Sequence, residues 1–272
     1  MIGKIGLVGM LAFFTPAAPC FTVAENTVLV EYVRNENISL VENLGKWNKE
    51  TLTDLIKKSK HYPDLGERLL FISDSFADIP YKPNTLGGGP DKKESLTVDL
   101  TGMDCFTSVE YFLAMANAND FNDFLNVLRK IRYVDDGKTV SWYTRNHFSV
   151  DWIKQNSEFA SDITTRFDYD FNTRTLNILE AKGIPAKKVI LNYIPKEKIP
   201  DMKAELKTGD IVFFAKNQAG LDVGHVGILK ISDNSVFLRH HSSDKGRMVD
   251  EDLQGYISRI RSFYGIIIAR PE

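Results

Sequence analysis

The 272-residue chain sets 34 basic against 36 acidic side chains, and 43% of its residues are hydrophobic. A chain of this length buries a full core without disulfide or metal staples, and its balance gives no net positive field for nucleic acid or anionic lipid. With 11% aromatic residues disorder is excluded as well, leaving a soluble globular domain of medium size.

The N-terminus reads as a secretory signal peptide over residues 1–24. Lys4 precedes the uncharged run Ile5 to Phe14, and small residues lead to Ala24, directly before the acidic Glu25. The run is too short to span a bilayer, which takes ~20 residues. Cleavage after Ala24 implies an exported protein, periplasmic or secreted. A lipid anchor on Cys20 is the lesser alternative, because Ala17-Ala18-Pro19 matches the lipoprotein pattern poorly. The mature chain, 25–272, would keep a single thiol, Cys105, and no disulfide.

In chain order, residues 49–60 and 64–78 have helical periodicity with polar starts, which makes 25–80 a helical extension. A turn-rich loop follows from Pro80 to Pro90. Its Gly87-Gly88-Gly89 lacks the Lys-Ser/Thr of a phosphate loop and reads as flexible. Leu96 to Leu100 alternates like a strand, and amphipathic helices follow over Cys105–Ala116 and Asp120–Tyr133. Residues 140–182 carry no clear period. Asp168 to Asn172 opens like a calcium loop but lacks the sixth-position glycine, so it reads as a solvated loop. Strands are expected over 210–215, 224–231, 235–240 and 264–269, with Asp233-Asn234 as a two-residue turn. Helices first and strands after argue for an α+β fold with an antiparallel sheet in one domain.

Cys105 opens a helix after a strand. The helix N-terminus should lower the thiol's pKa, and its N–H groups can hold an oxyanion. A base must then come from elsewhere, and His225 lies between glycines in Val223-Gly-His-Val-Gly-Ile228. If Asp233-Asn234 is the turn, Ser232 pairs with Ser235. His240 then becomes the same-face diagonal neighbour of His225, while His241 points to the other face. His240 is therefore the better orienter. A Cys-His-His zinc site is the other use of these atoms, but no fourth ligand is evident.

These residues also carry a family resemblance. Asp104-Cys105 opening a helix, Gly224-His-Val-Gly227 and His240-His-Ser-Ser243 resemble the NlpC/P60 papain-like cell-wall hydrolases. Tyr81 with Thr85-Leu86, Leu100 to Glu110, Arg145-Asn-His147 with Asp151-Trp152, Leu221 to Ile228, and Arg270-Pro271 resemble its DUF1460 branch, in family order over roughly 65–271. The resemblance implies a papain-like core, with a nucleophile helix packed on an antiparallel sheet. It also implies an N-acetylmuramoyl-L-alanine amidase that acts on peptidoglycan fragments (muropeptides) without metal or cofactor. Cys105 would be the nucleophile, His225 the base and His240 the third member. Tyr81 would support the oxyanion, and Thr85, Asp104, Arg145, Asn146 and His147 would line the pocket. The branch's usual His-Ala-Ser-Ser reads His240-His241-Ser-Ser here, which leaves His241 open as the third member. The rival readings are a γ-D-glutamyl-diamino-acid endopeptidase on the same fold and a non-catalytic wall-binding protein.

Overall fold

The computed structural model describes residues 30–32, 38–233 and 235–272. The expected signal peptide, its cleavage point and Cys20 lie outside the described residues, as does Asn234 of the expected turn.

The first four helices begin on a side-chain cap. Asn48 and Thr51 close a reciprocal capping box on α1 (Lys49–Ser59), and Asp64 caps α2 (Leu65–Asp74). Asp104 and Thr107 form a second box on α3 (Cys105–Asn117), and Asp120 caps α4 (Phe121–Arg132). A fifth helix, α5, covers Ser149–Gln155. Helix α3 is buried continuously from Thr107 to Ala116, so it is the central helix rather than an amphipathic cover. It packs on α2 and α4 on one side and on the sheet on the other. α4 buries Phe121, Phe124, Leu125, Leu128 and Ile131 at helical spacing.

A small sheet joins β1 (Val30–Tyr32), β2 (Ser39–Asn43) and β3 (Leu96–Asp99), with β2 and β3 parallel. Among its described residues, the extension expected to be helical carries two strands ahead of α1. The large sheet has eight strands in the order β10-β9-β8-β7-β11-β6-β5, with β4 added against β11. Its members are β4 (Ala160–Asp162), β5 (Asp170–Leu176), β6 (Lys187–Pro195), β7 (Ile211–Lys216), β8 (Val223–Ser232), β9 (Ser235–Ser242), β10 (Arg247–Asp252) and β11 (Phe263–Pro271). All of its pairings are antiparallel. The α+β expectation and the four expected strands stand. The segment 168–172 is corrected: β5 begins at Asp170 and pairs along its length with β6.

The central strands of the sheet bury side chains on both faces. Ile211, Phe213, Ala215, Val226 and Ile228 face the helices, whereas Val212, Phe214, Leu229, Val236 and Leu238 face a second layer built from α6 (Leu253–Arg259) and the turn segment Ile199–Glu205. Each of these Val, Leu, Ile and Phe side chains contributes about 1.5–3 kcal/mol on burial. That explains why β7 and β11 read as unbroken apolar runs.

Inside the helical layer, Arg132 of α4 donates from Nε to Glu110 of α3 at 2.7 Å and from Nη1 to the Thr97 carbonyl of β3 at 2.7 Å. The pair is buried, with 1% and 3% of the two side chains exposed. It ties the helix that starts at Cys105 to its two neighbours.

Candidate active site

The turn from β3 into α3 places Cys105, half-buried, at the first helical position. Tyr81 stands beside it, because its segment is pinned on both sides. Met103 N–H donates to the Pro80 carbonyl at 3.1 Å, Lys82 N–H to the Met103 carbonyl at 3.0 Å, and Tyr81 N–H to the Gly246 carbonyl at 2.8 Å. The Tyr81 hydroxyl is held protonated by burial and by the nearby Cys105 and Asp104.

The electrostatics of Cys105 reverse one expectation. Asp104 Oδ1 accepts from the Phe106 N–H at 3.0 Å and the Thr107 N–H at 2.8 Å. The carboxylate therefore occupies the helix terminus that was expected to stabilise a thiolate. Burial, and then the Asp104 charge, push the Cys105 thiol up to about 12, although the Val226 N–H and the helix's own N–H groups oppose this. The resting group is a neutral thiol.

Strand β8 carries His225 past the end of its ladder with β9, which runs from Ser232↔Ser235 to Ile228↔Arg239. That register is the one expected from the two-residue turn. Beyond it the rings meet directly: His225 Nε2 lies 2.6 Å from His240 Nδ1, edge to face at 4.7 Å between centroids. Gly227 is what permits this approach, since a Cβ there would fall 2.7 Å from the Arg239 carbonyl and 3.0 Å from the His240 Cβ. Tyr256 of α6 packs on both rings, at 5.5 and 4.9 Å. Burial, then the neighbouring His240, lower His225 to about 3. His240 Nε2 lies 3.2 Å from Glu251 Oε1, and Glu251 Oε2 accepts from Arg259 Nη2 at 2.8 Å.

His241 turns to the other face, as the strand period requires, and is fully buried. Neither of its ring nitrogens has a hydrogen-bond partner, although the Ile79 backbone lies near. Burial holds His241 at about 4. A base whose folded pKa lies below its unfolded value of ~6.5 loses stability as pH falls between the two. His241→Leu should therefore raise the melting temperature at pH 5 by more than at pH 8. An equal shift at both pH values would show that His241 is not buried neutral.

A cavity of about 590 Å³ borders Asp104 and is lined by Thr85, Gly87–Gly89, Trp142, Arg145, His147 and Lys182. Arg145 Nε donates to Glu94 Oε1 at 2.9 Å, and its Nη2 donates to the Gly87 carbonyl at 3.1 Å. Glu94 also accepts from the Tyr133 hydroxyl at 2.9 Å. Gly88, at φ +70°, lies so close that a Cβ would fall 1.9 Å from Glu94 Oε2. The triglycine expected to be a free loop is folded onto this ion pair as one wall of the cavity. His147 Nε2 donates to the Trp142 carbonyl at 2.7 Å, and its ring packs tilted on the Trp142 ring at 4.2 Å. Burial keeps it neutral. The Thr85 hydroxyl is buried without a partner.

Asn146 stands apart from this cavity. Its Nδ2 donates to the Ile131 carbonyl at 3.2 Å, and its side chain lies outside this cavity, bordering a neighbouring one. Arg145 and His147 line both cavities, whereas Asn146 borders only the second. Sequence reasoning missed Glu94, Trp142, Glu251 and Tyr256. Among the described residues, no three His, Cys, Asp or Glu side chains converge to hold a metal ion.

The family model described as AmiA-like, N-acetylmuramoyl-L-alanine amidase-like, matches residues 71–266. A crystallised N-acetylmuramoyl-L-alanine amidase from Bacteroides uniformis is similar at 28% identity and a TM-score of 0.68, over 76% of this chain and 99% of that one. A Legionella pneumophila protein, LPG0564, of the DUF1460 family, shares the fold at 21% identity and a TM-score of 0.68, over 82% and 94% of the two chains. A Bacteroides fragilis protein described provisionally as a xylanase is 30% identical with a TM-score of 0.64, over 72% and 97%. No curated protein matches the chain. The match over 71–266 takes in the Cys105 helix, the cavity, and the strands that bring His225 and His240 together, and the chain belongs to the N-acetylmuramoyl-L-alanine amidase-like family.

Proposed function

We propose that the protein is a cysteine amidase of the NlpC/P60 kind that hydrolyses the amide between the muramic acid lactyl group and L-Ala in muropeptides. The observation that carries this reading is the 2.6 Å contact of His225 with His240, next to a helix-opening Cys105 whose sulfur is faced by the N–H of Val226. Catalysis starts from a neutral pair. As Cys105 Sγ attacks the lactyl carbonyl, its proton passes to Nδ1 of His225, because Nε2 is engaged by His240. The capping bonds of Asp104 leave the Cys105 N–H for the oxyanion, and the protonated Tyr81 hydroxyl is the second donor. His225 then protonates the departing L-Ala amine and later activates the water that cleaves the thioester.

With Cys105 near 12 and His225 near 3, slow alkylation at neutral pH is expected of the enzyme itself and does not mark a binding protein. Glycoside hydrolysis needs two carboxyl groups facing each other across the bond, about 5–10 Å apart. Of the two carboxylates that line this cavity, Asp91 and Asp104, the second is taken up by the helix cap, and nearby Glu94 is bound by Arg145, which favours amide over glycoside chemistry. Arg145, His147 and Thr85 would hold substrate, with Arg145 bonded to Glu94. The signal-peptide reading puts this activity outside the cytoplasm.

Mass spectrometry of a muropeptide digest tests the assignment. Release of a stem peptide beginning with L-Ala, undiminished by EDTA, is expected. Cleavage after D-glutamate would replace the amidase with the endopeptidase. Loss in EDTA restored by zinc would overturn the thiol mechanism.

A further inference from the structure

The contact between His225 and His240 does not by itself say which nitrogens carry the protons. Two neutral rings joined at 2.6 Å share one proton, and only one direction leaves His225 Nδ1 as a base. Some group must fix that direction.

The adjoining strand provides one. In the β9–β10 register His240 pairs with Val249, so Glu251 is the same-face diagonal neighbour of His240. Its Oε1 lies 3.2 Å from His240 Nε2, and Oε2 is held by Arg259 at 2.8 Å. Three successive strands thus place His225, His240 and Glu251 in one file. We infer that Glu251 is a positioning residue that fixes the proton order of the catalytic file and steadies the charge that develops on His225. This rests on the amidase reading for its purpose, though not for its geometry.

A carboxylate has no proton to donate, so His240 Nε2 must carry one and donate it to Glu251. His240 Nδ1 is then an acceptor, and His225 Nε2 must donate to it. That leaves the lone pair of His225 on Nδ1. During attack a single proton moves, from Sγ to Nδ1. The S–C bond forms, the carbonyl π pair moves onto oxygen, and His240 and Glu251 neither gain nor lose a proton. Glu251 remains ionised through Arg259 and His240.

Other charged and titratable groups stand around His240, among them the adjacent His241, which turns to the opposite face of β9. Asp250 of β10 is bound by Arg239 at 2.7 Å and Lys230 at 2.9 Å. From α6 come Arg259, bonded to Glu251, and Tyr256, packed ring on ring; from β8 comes His225 itself.

The test is the imidazole nitrogen-15 spectrum of the full chain without substrate, beside kinetics on muropeptide. In the wild type both rings should carry hydrogen on Nε2. In Glu251→Leu, His240 should lose that preference. Its kcat should fall roughly 10²-fold with KM within about threefold. The acid limb of kcat/KM should also move to lower pH, because an anion that favours imidazolium has gone. Glu251→Gln, which keeps an acceptor and the side-chain shape, should recover most of the rate and covers the case in which the leucine variant fails to fold. His240 protonated on Nδ1 in the wild type, or variants with unchanged tautomers and pH limb, would overturn the inference. Correct tautomers in a protein that cuts no muropeptide would instead sink the amidase and leave the file standing.

Discussion

Cys105→Ala should abolish muropeptide cleavage, by roughly 10⁴-fold or more, and leave the melting temperature nearly unchanged. The size follows from removing a nucleophile whose partners act only through it. The stability follows from what holds the turn in place. The helix cap runs through the Asp104 carboxylate and the Phe106 and Thr107 N–H groups, and the Tyr81 segment is pinned through backbone atoms of Pro80, Lys82 and Met103. None of these bonds uses the sulfur. Cleavage rates and thermal melts of the two proteins, measured side by side, check both halves. A variant that keeps more than about a hundredth of the rate would place the nucleophile elsewhere.

Arg132→Met should cost the fold about 3–5 kcal/mol, because it strands the Glu110 carboxylate in a dry interior. For a chain of this size that corresponds to a fall in melting temperature on the order of 10 °C at pH 8. The deficit should shrink toward pH 5. Burial already raises the Glu110 carboxyl above its usual range, and without Arg132 it rises further. A folded-state pKa above the unfolded one means that stability is gained as pH falls. Replacing Glu110 with Leu as well should restore most of the loss, since a well-packed apolar pair often equals a buried ion pair. Thermal melts of both variants at pH 5 and pH 8 read the effect. A single-variant loss that does not change with pH would mean that water reaches Glu110.

The parts of the site fixed by local rules were legible in the chain alone. A two-residue turn and a period of two are enough to give the Ile228↔Arg239 register, to bring His240 to His225 and to send His241 away. The start of α3 at Cys105 could be read from Asp104 as a cap. What that reading left out was the charge of the cap. The same carboxylate that marks the helix start cancels the field expected to ionise the thiol. Glu251 stayed hidden because β10, Arg247 to Asp252, is an edge strand with an exposed, charged face, so it has no apolar alternation to betray it. Glu94 and Arg145 are 51 residues apart in sequence, and only the fold brings them together over Gly88.

The position of β11 bears on how the molecule is made. It lies between β7 and β6 and also carries β4, yet it follows every other strand of the large sheet in chain order. Its partner β7 ends at Lys216, and Phe263 pairs with that residue. Until the ribosome has delivered Phe263 to Pro271, β7 and β6 have no common neighbour, and the wall between the two apolar layers lacks its Ile266, Ile267 and Ile268. Contacts so distant in sequence close late and slowly. The histidine file can therefore form as a local meander of β8, β9 and β10, but the floor beneath it arrives afterwards. Catalytic competence should appear only with the last strand, so that a nascent chain halted before β11 remains an inactive, protease-sensitive intermediate.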